Sequence, residues 1–111
     1  MNRTIIVSNE VMGNGPEDLG KTIMGSFLRK LCLEENKPAT IVFYTAGVKL
    51  LAEGSAVLDA IDALSKAGID IIACGTCVNY YKLGDKIEPE SIGDMPTIIS
   101  ILMKSDVVIT V

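Results

Sequence analysis

The chain reads as an α/β protein: a parallel sheet with helices on both faces. Three observations predict this. Four short runs, Thr4–Ser8, Ala39–Tyr44, Ile69–Ala73 and Asp106–Val111, are apolar almost throughout instead of alternating, as strands covered on both sides are. Segments with helical periodicity lie between them, and strands that alternate with helices favour parallel pairing. The length of 111 residues, 49% of them hydrophobic and none of them Trp, suits one domain with one aliphatic core.

In chain order, Thr4-Ile5-Ile6-Val7-Ser8 is the first strand, followed by the turn-rich Glu10-Val11-Met12-Gly13-Asn14-Gly15. Pro16 suits the first turn of a helix, with Glu17 and Asp18 beside it where acids favour the helix dipole. Leu19, Ile23, Phe27 and Leu31 then recur every four residues, with Met24 beside them. They predict an amphipathic helix of about five turns ending before Pro38. Ala39–Tyr44 is the second strand. Thr45-Ala46-Gly47 reads as a loop, and Val48–Glu53 as one helical turn or two. Ser55 reads as the cap of a helix marked by Val57, Leu58, Ile61 and Leu64 and stopped by Gly68.

Ile69–Ala73 is the third strand and delivers Cys74 at its carboxyl end. Val78–Leu83 is read as a short helix ended by Gly84. Pro89 argues against a long central strand between Lys86 and Gly93. Asp94 caps a helix from Met95 to Lys104, with Pro96 tolerated in its first turn. Asp106–Val111 closes the sheet. No repeat, linker or low-complexity segment suggests a second domain, so 1–111 is taken as one.

Composition narrows the function. A net charge of −4 and a pI near 4.7 oppose nucleic-acid binding, which leaves a basic footprint. No apolar run reaches the roughly 18–20 residues of a membrane span. The N-terminus passes straight into a strand without a signal-peptide pattern, so a cytoplasmic location is expected. Three cysteines in such a chain point to catalytic, redox or metal chemistry instead of a disulfide framework. With no histidine, Ser–His and Cys–His nucleophile pairs and imidazole zinc sites are excluded. A mean hydropathy of +0.40 is high for a small monomer, so a homo-oligomer is expected.

Two motifs fall away. Gly13-Asn14-Gly15 suggests a dinucleotide fingerprint, but Asp18 stands where its third glycine belongs, and a carboxylate at a helix start repels pyrophosphate. One Cys-x-x-Cys supplies two zinc ligands where a structural site wants four. No cofactor and no bound metal are therefore expected, and Cys32 reads as a small, partly buried residue without chemistry.

The pair Cys74-Gly75-Thr76-Cys77 remains. Ligands and reactants of a parallel α/β sheet gather at the carboxyl ends of its strands, where this pair lies. A helix beginning near Thr76 or Cys77 favours a thiolate through its free N–H groups and dipole, with Lys82 as a further activator. Cys77, at the helix start, is the expected nucleophile. Cys74, nearer the strand and more shielded, is the expected resolving thiol. A thioredoxin fold does not fit, because there the motif follows an early strand.

These residues resemble a known family. Thr45-Ala46-Gly47-Val48-Lys49-Leu50, then Glu53-Gly54-Ser55, then Cys74-Gly75-Thr76-Cys77 look like the DsrE/DsrF-like domain. The form most similar is the C-terminal domain of YedF-type, sulfurtransferase-like selenium-metabolism proteins. Met12-Gly13, Leu19-Gly20, Phe27-Leu28 and the ending Ser105-Asp106-Val107-Val108-Ile109-Thr110 fit the same pattern. The resemblance implies a three-layer α/β/α sandwich with a mostly parallel five-stranded sheet, hence a short fourth strand within Glu90–Gly93. It also implies oligomeric assembly and a persulfide-carrying cysteine at the position of Cys77. YedF-type proteins carry a TusA-like domain ahead of this one, so a TusA-like or other sulfur-carrier protein is the implied partner. Asn9 stands where the pattern has Asp, so no carboxylate role transfers to it.

The leading expectation is a persulfide carrier of a sulfur or selenium relay. The alternatives are a non-catalytic, redox-sensing or binding subunit with structural thiols, and a small-molecule site in the Met12–Gly15 and Thr45–Gly47 loops, with Asn9, Met12, Gly13, Gly47 and Thr76 as its candidate pocket residues.

Overall fold

A computed structural model describes residues 1–111 as a five-stranded, all-parallel sheet between helices. The strands are β1 Arg3–Val7, β2 Thr40–Phe43, β3 Asp70–Cys74, β4 Ile92–Gly93 and β5 Val107–Thr110, in the order β4-β3-β2-β1-β5. The helices are α1 Glu17–Leu31, α2 Leu58–Lys66, α3 Gly75–Tyr80 and α4 Met95–Lys104. A 3₁₀ helix, Thr45–Leu51, follows β2, and a shorter one, Pro89–Ser91, precedes β4. No helix is long and apolar enough to cross a membrane.

The strand order explains how the two faces are covered. From β1 to β4 each connection steps the same way along the sheet, and only the connection from β4 to β5 reverses. Right-handed crossovers then place the earlier helices on one face and α4 alone on the other. The side chains agree. Ile5, Val7, Ile41, Phe43, Ile71 and Ala73 pack with Met24, Leu28, Ile61 and Leu64 in the main core. The alternate positions Ile6, Val42 and Cys74 meet Ile98 of α4 in a core of four buried residues. Thr4, buried on that second face, hydrogen-bonds through Oγ1 to Ser105 Oγ at 2.6 Å and ties the end of α4 to β1.

Several boundaries differ from the sequence reading. Helix α1 has 15 residues, about four turns, and Pro16 stands before its first turn. It buries Met24 and Leu28 with Gly20 and Gly25, whereas Leu19 is 54% and Ile23 40% exposed. A four-residue repeat drifts around a 3.6-residue helix, so Leu19 and Ile23 stand off the buried face while Phe27 and Leu31 come round to pack, partly buried, against the core. Helix α2 starts at Leu58, and Ser55 Oγ accepts from Val57 N (3.3 Å) in the turn before it. Its end is as expected: Gly68 has φ +95°, with Gly68 N–H to Ser65 O and Ile69 N–H to Leu64 O, a Schellman motif.

Helix α3 starts at Gly75, directly after the strand, and stops before Gly84. Lys82, at φ +59°, takes the left-handed position, with Lys82 N–H to Asn79 O and Leu83 N–H to Val78 O. A lysine in the place that usually takes glycine is why the sequence puts this end too late. The short fourth strand falls within Glu90–Gly93, and Asp94 caps α4 by accepting from Thr97 N at 3.0 Å.

Candidate functional site

The site is built where β3 ends. Cys74 is both the last residue of β3 and the N-cap of α3, so strand passes to helix without a loop. Its partner in β4 is Gly93, and the close approach of Gly75 to Gly93 O holds the turn against the sheet edge. Cys74 is buried among Ile6, Val42 and Ile98. Cys77, at the third helical position, is half-buried and touches both cores along the carboxyl edge of the sheet. Both are free thiols. Within one helical turn, two sulfurs of different accessibility share one edge.

The expected activation of Cys77 is not what this environment provides. Burial is the largest influence and pushes its thiol above the ordinary value. A hydrogen bond from the Thr45 backbone N–H pulls it down, and the neighbouring Cys74 thiol pushes it up again. Lys82 is not among the groups acting on it. The nearby cation, Lys49, is engaged elsewhere, 4.5 Å over the Tyr81 ring and 3.7 Å from Glu10.

Thr45 enters the sequence reading as part of the family motif and of a candidate binding loop, with no role at the sulfur. Its backbone N lies 3.0 Å from Cys77 Sγ. Its φ of +47° places a β-branched residue in the left-handed region, at a cost of ~1–3 kcal/mol. The side chain holds it there: the Oγ1 hydroxyl donates its one proton between Ser8 O and Tyr44 O (2.7 Å). The end of β1 therefore clamps the residue that aims an N–H at the sulfur. The signal in the sequence is a threonine directly after a strand that opens the Thr45-Ala46-Gly47 motif, and nothing in it points to the sulfur of Cys77.

The other candidates divide. Gly47 is buried and packs so closely on the end of β1 that a Cβ would lie 2.2 Å from Val7 O and 3.4 Å from Asn9 N. Thr45, Gly47 and the Ser8–Asn9 backbone thus belong to one assembly with Cys77. Asn9 is exposed, and its side chain accepts from Glu10 N at 2.8 Å. Thr76 is exposed on the outer side of α3. Met12 points the other way and lines an open groove of about 500 Å³ on α1 with Ile23, Phe27 and Leu31. Gly13, at φ +77°, lies in the exposed turn beside it. Cys32 sits between α1 and α2, its thiol 3.5 Å from Leu28 O and 3.9 Å from Ala60 O. Nowhere do three His, Cys, Asp or Glu side chains gather as metal ligands would.

A model of the DsrE/DsrF-like family matches residues 10–111. Among solved structures, the ychN protein from E. coli is similar at 15% identity and TM-score 0.69, over 100% of both chains. MTH1491 from Methanobacterium thermoautotrophicum, a protein of unknown function, is similar at 16% identity and TM-score 0.69, again over 100% of both chains. BT1422 from Bacteroides thetaiotaomicron, also of unknown function, shows 17% identity and TM-score 0.67 over 99% of this chain and 95% of its own. At such identities the structural likeness is one of fold. No curated protein sequence matches.

Proposed function

The chain belongs to the DsrE/DsrF-like family, which suggests a role related to sulfur relay, and we propose that it carries sulfane sulfur on Cys77. The Cys77 thiolate attacks the terminal sulfur of a donor persulfide. The donor's sulfur–sulfur bond breaks, the donor leaves as a thiolate, and a persulfide forms on Cys77. An acceptor thiolate then takes the terminal sulfur. Cys74 supplies a second exit: its thiolate attacks Cys77 Sγ, hydrosulfide leaves, and the resulting disulfide is reset by a dithiol reductant.

One observation carries this reading. A half-exposed thiol stands at the carboxyl edge of a parallel sheet with a backbone N–H on its sulfur and a second, buried thiol beside it. The raised thiol makes uptake slow at neutral pH without preventing it, since the thiolate is the reacting form. That same raised value favours the second reading, a redox-sensing or binding subunit with structural thiols. Intact mass after treatment with a persulfide donor decides between them. A single sulfur adduct that survives Cys32→Ser and disappears in Cys77→Ser is expected; no adduct, or one retained in Cys77→Ser, refutes the assignment.

Within the family, the Cys74-Gly75-Thr76-Cys77 motif leads us to group the chain with YedF-type proteins in the cytoplasm, with a TusA-like carrier as donor or acceptor and sulfur or selenium as cargo. We also propose a homo-oligomer joined through α4. That helix alone covers the second sheet face, yet Met95, Ile99 and Met103 are exposed along it, with Val108 and Ile109 exposed on β5. Sedimentation is expected to show an assembly that Ile99→Lys dissociates; a wild-type monomer at micromolar concentration rejects it.

A further inference from the structure

We propose that Thr45 directs the regiochemistry of sulfur transfer, its N–H stabilising Cys77 Sγ as the leaving thiolate so that acceptors attack the terminal sulfur. The inference rests on Cys77 carrying a persulfide. A persulfide, Cys77 Sγ–SδH, presents two electrophilic sulfurs. Attack by an acceptor thiolate at Sδ breaks the Sγ–Sδ bond, moves SδH to the acceptor as a new persulfide, and leaves the electron pair on Sγ. Attack at Sγ instead forms a mixed disulfide with Cys77 and expels Sδ as hydrosulfide, which ends the relay. No external oxidant or reductant enters either branch. The branches differ in which sulfur gains negative charge in the transition state.

The geometry favours the first branch. A preorganised donor aimed at the atom where charge develops lowers that barrier selectively. Thr45 N lies 3.0 Å from Sγ, the sulfur that becomes thiolate only when Sδ is transferred. The donor is also held at a conformational cost. Thr45 sits at φ +47°, and its hydroxyl, shared between Ser8 O and Tyr44 O, fixes the peptide that carries the N–H. Strain of this kind at a chemically placed residue marks a constraint on function. Burial alone would make Sγ a poor leaving group, since it raises the thiol; the Thr45 hydrogen bond acts in the opposite sense. Thr45 is thus a positioning residue through its side chain and a contact of the reacting sulfur through its backbone.

Thr45→Ser keeps the hydroxyl anchor. Thr45→Val keeps the shape, loses the hydroxyl's hydrogen bonding and disfavours positive φ. Thr45→Gly adopts positive φ freely and controls for the backbone conformation. Each is made with Cys74→Ala, so that hydrosulfide cannot arise from the internal thiol, and each is checked for cooperative unfolding. The proteins are treated with polysulfide and then N-acetylcysteine, and the products are trapped with bromobimane and weighed. The parent and Thr45→Ser are expected to yield mainly the acceptor persulfide, with Thr45→Gly close to them. Thr45→Val is expected to divert product to hydrosulfide and mixed disulfide by about threefold to tenfold, the range that loss of one hydrogen bond of typical net strength gives. Alkylation of reduced Cys77 by iodoacetamide at pH 7 should slow in Thr45→Val by a smaller factor, about twofold to fourfold, the smaller thiolate fraction being partly offset by greater nucleophilicity.

Unchanged partition in a folded Thr45→Val overturns the proposal while leaving sulfur carriage intact. A parent protein that takes up no sulfur overturns the carrier function and this proposal with it. The alkylation comparison then still reports whether the Thr45 N–H stabilises the thiolate, so the two failures are distinct.

Discussion

Replacing Gly47 with alanine adds one methyl group where the backbone leaves no room. An ideal Cβ there lies 2.2 Å from Val7 O, 3.1 Å from Val7 C and 3.4 Å from Asn9 N. All three are main-chain atoms in or next to β1, which is hydrogen-bonded on both sides, so no flexible side chain can swing away. Even a tight contact needs the two elements to separate by about 1 Å, given optimal non-bonded separations near 3.5–4.0 Å. Gly47 does not have a positive φ, so alanine adds no backbone strain and the effect is steric alone. Overpacking of this kind costs ~1–3 kcal/mol. With a urea m-value of ~1–3 kcal/mol/M for a small domain, the unfolding midpoint should fall by about 1 M. Thr45 lies in the same 3₁₀ helix, so the same movement should loosen its 3.0 Å N–H contact with Cys77 Sγ. Urea unfolding measures the first effect, and hydrogen exchange at the Thr45 amide, expected to accelerate, measures the second. A Gly47→Ala protein with the wild-type midpoint, m-value and Thr45 exchange would refute the close packing of the 3₁₀ helix on β1.

Three further outcomes are expected. Leu28→Ala should destabilise by ~2–5 kcal/mol, whereas Leu19→Ala should cost less than about 1 kcal/mol, because Leu28 is fully buried and Leu19 more than half exposed. Equal losses by urea denaturation would mean that α1 is rotated. The Asp94 carboxyl is held below its usual range by the Thr97 hydroxyl and N–H, so its stabilising contribution is present above the unfolded carboxyl value and disappears as pH falls through the depressed one. Thermal melts should therefore place Asp94→Ala below wild type at pH 7 and level with it in strong acid; a gap that persists in acid contradicts the cap. Because burial raises the Cys77 thiol, iodoacetamide labelling of this residue should keep accelerating above the pH where an ordinary thiol levels off. A plateau at or below the ordinary range would contradict a desolvated sulfur.

Much of the fold was legible because it follows from local pattern. The uninterrupted apolar runs around Ile5, Val42 and Ile71 mark strands covered on both faces, and Gly68 and Asp94 mark helix ends through chemistry that needs no tertiary contact. The two-residue strand Ile92–Gly93 came from family resemblance, since so short a pairing has no pattern of its own. Periodicity could not set the rotation of α1. A helix with Leu19, Ile23, Met24, Phe27, Leu28 and Leu31 offers two apolar stripes, and packing against β1, β2 and α2 selected Met24 and Leu28. The late end assigned to α3 has a similar origin, for nothing local announces a lysine at positive φ.

The sequence by itself narrowed the chemistry open to the chain, because composition limits it: two cysteines three positions apart after a strand, no histidine, and an acidic chain. The tertiary structure alone decided what surrounds the sulfur. The helix start was expected to lower the Cys77 thiol, but the sulfur is partly buried against both cores, and that desolvation is the largest influence on it and raises it. It also decided that a residue thirty-two positions away supplies the hydrogen bond to that sulfur. Parallel strands bring the carboxyl ends of β1, β2 and β3 side by side, and Ser8, Thr45 and Cys77 meet there because each lies just beyond its own strand.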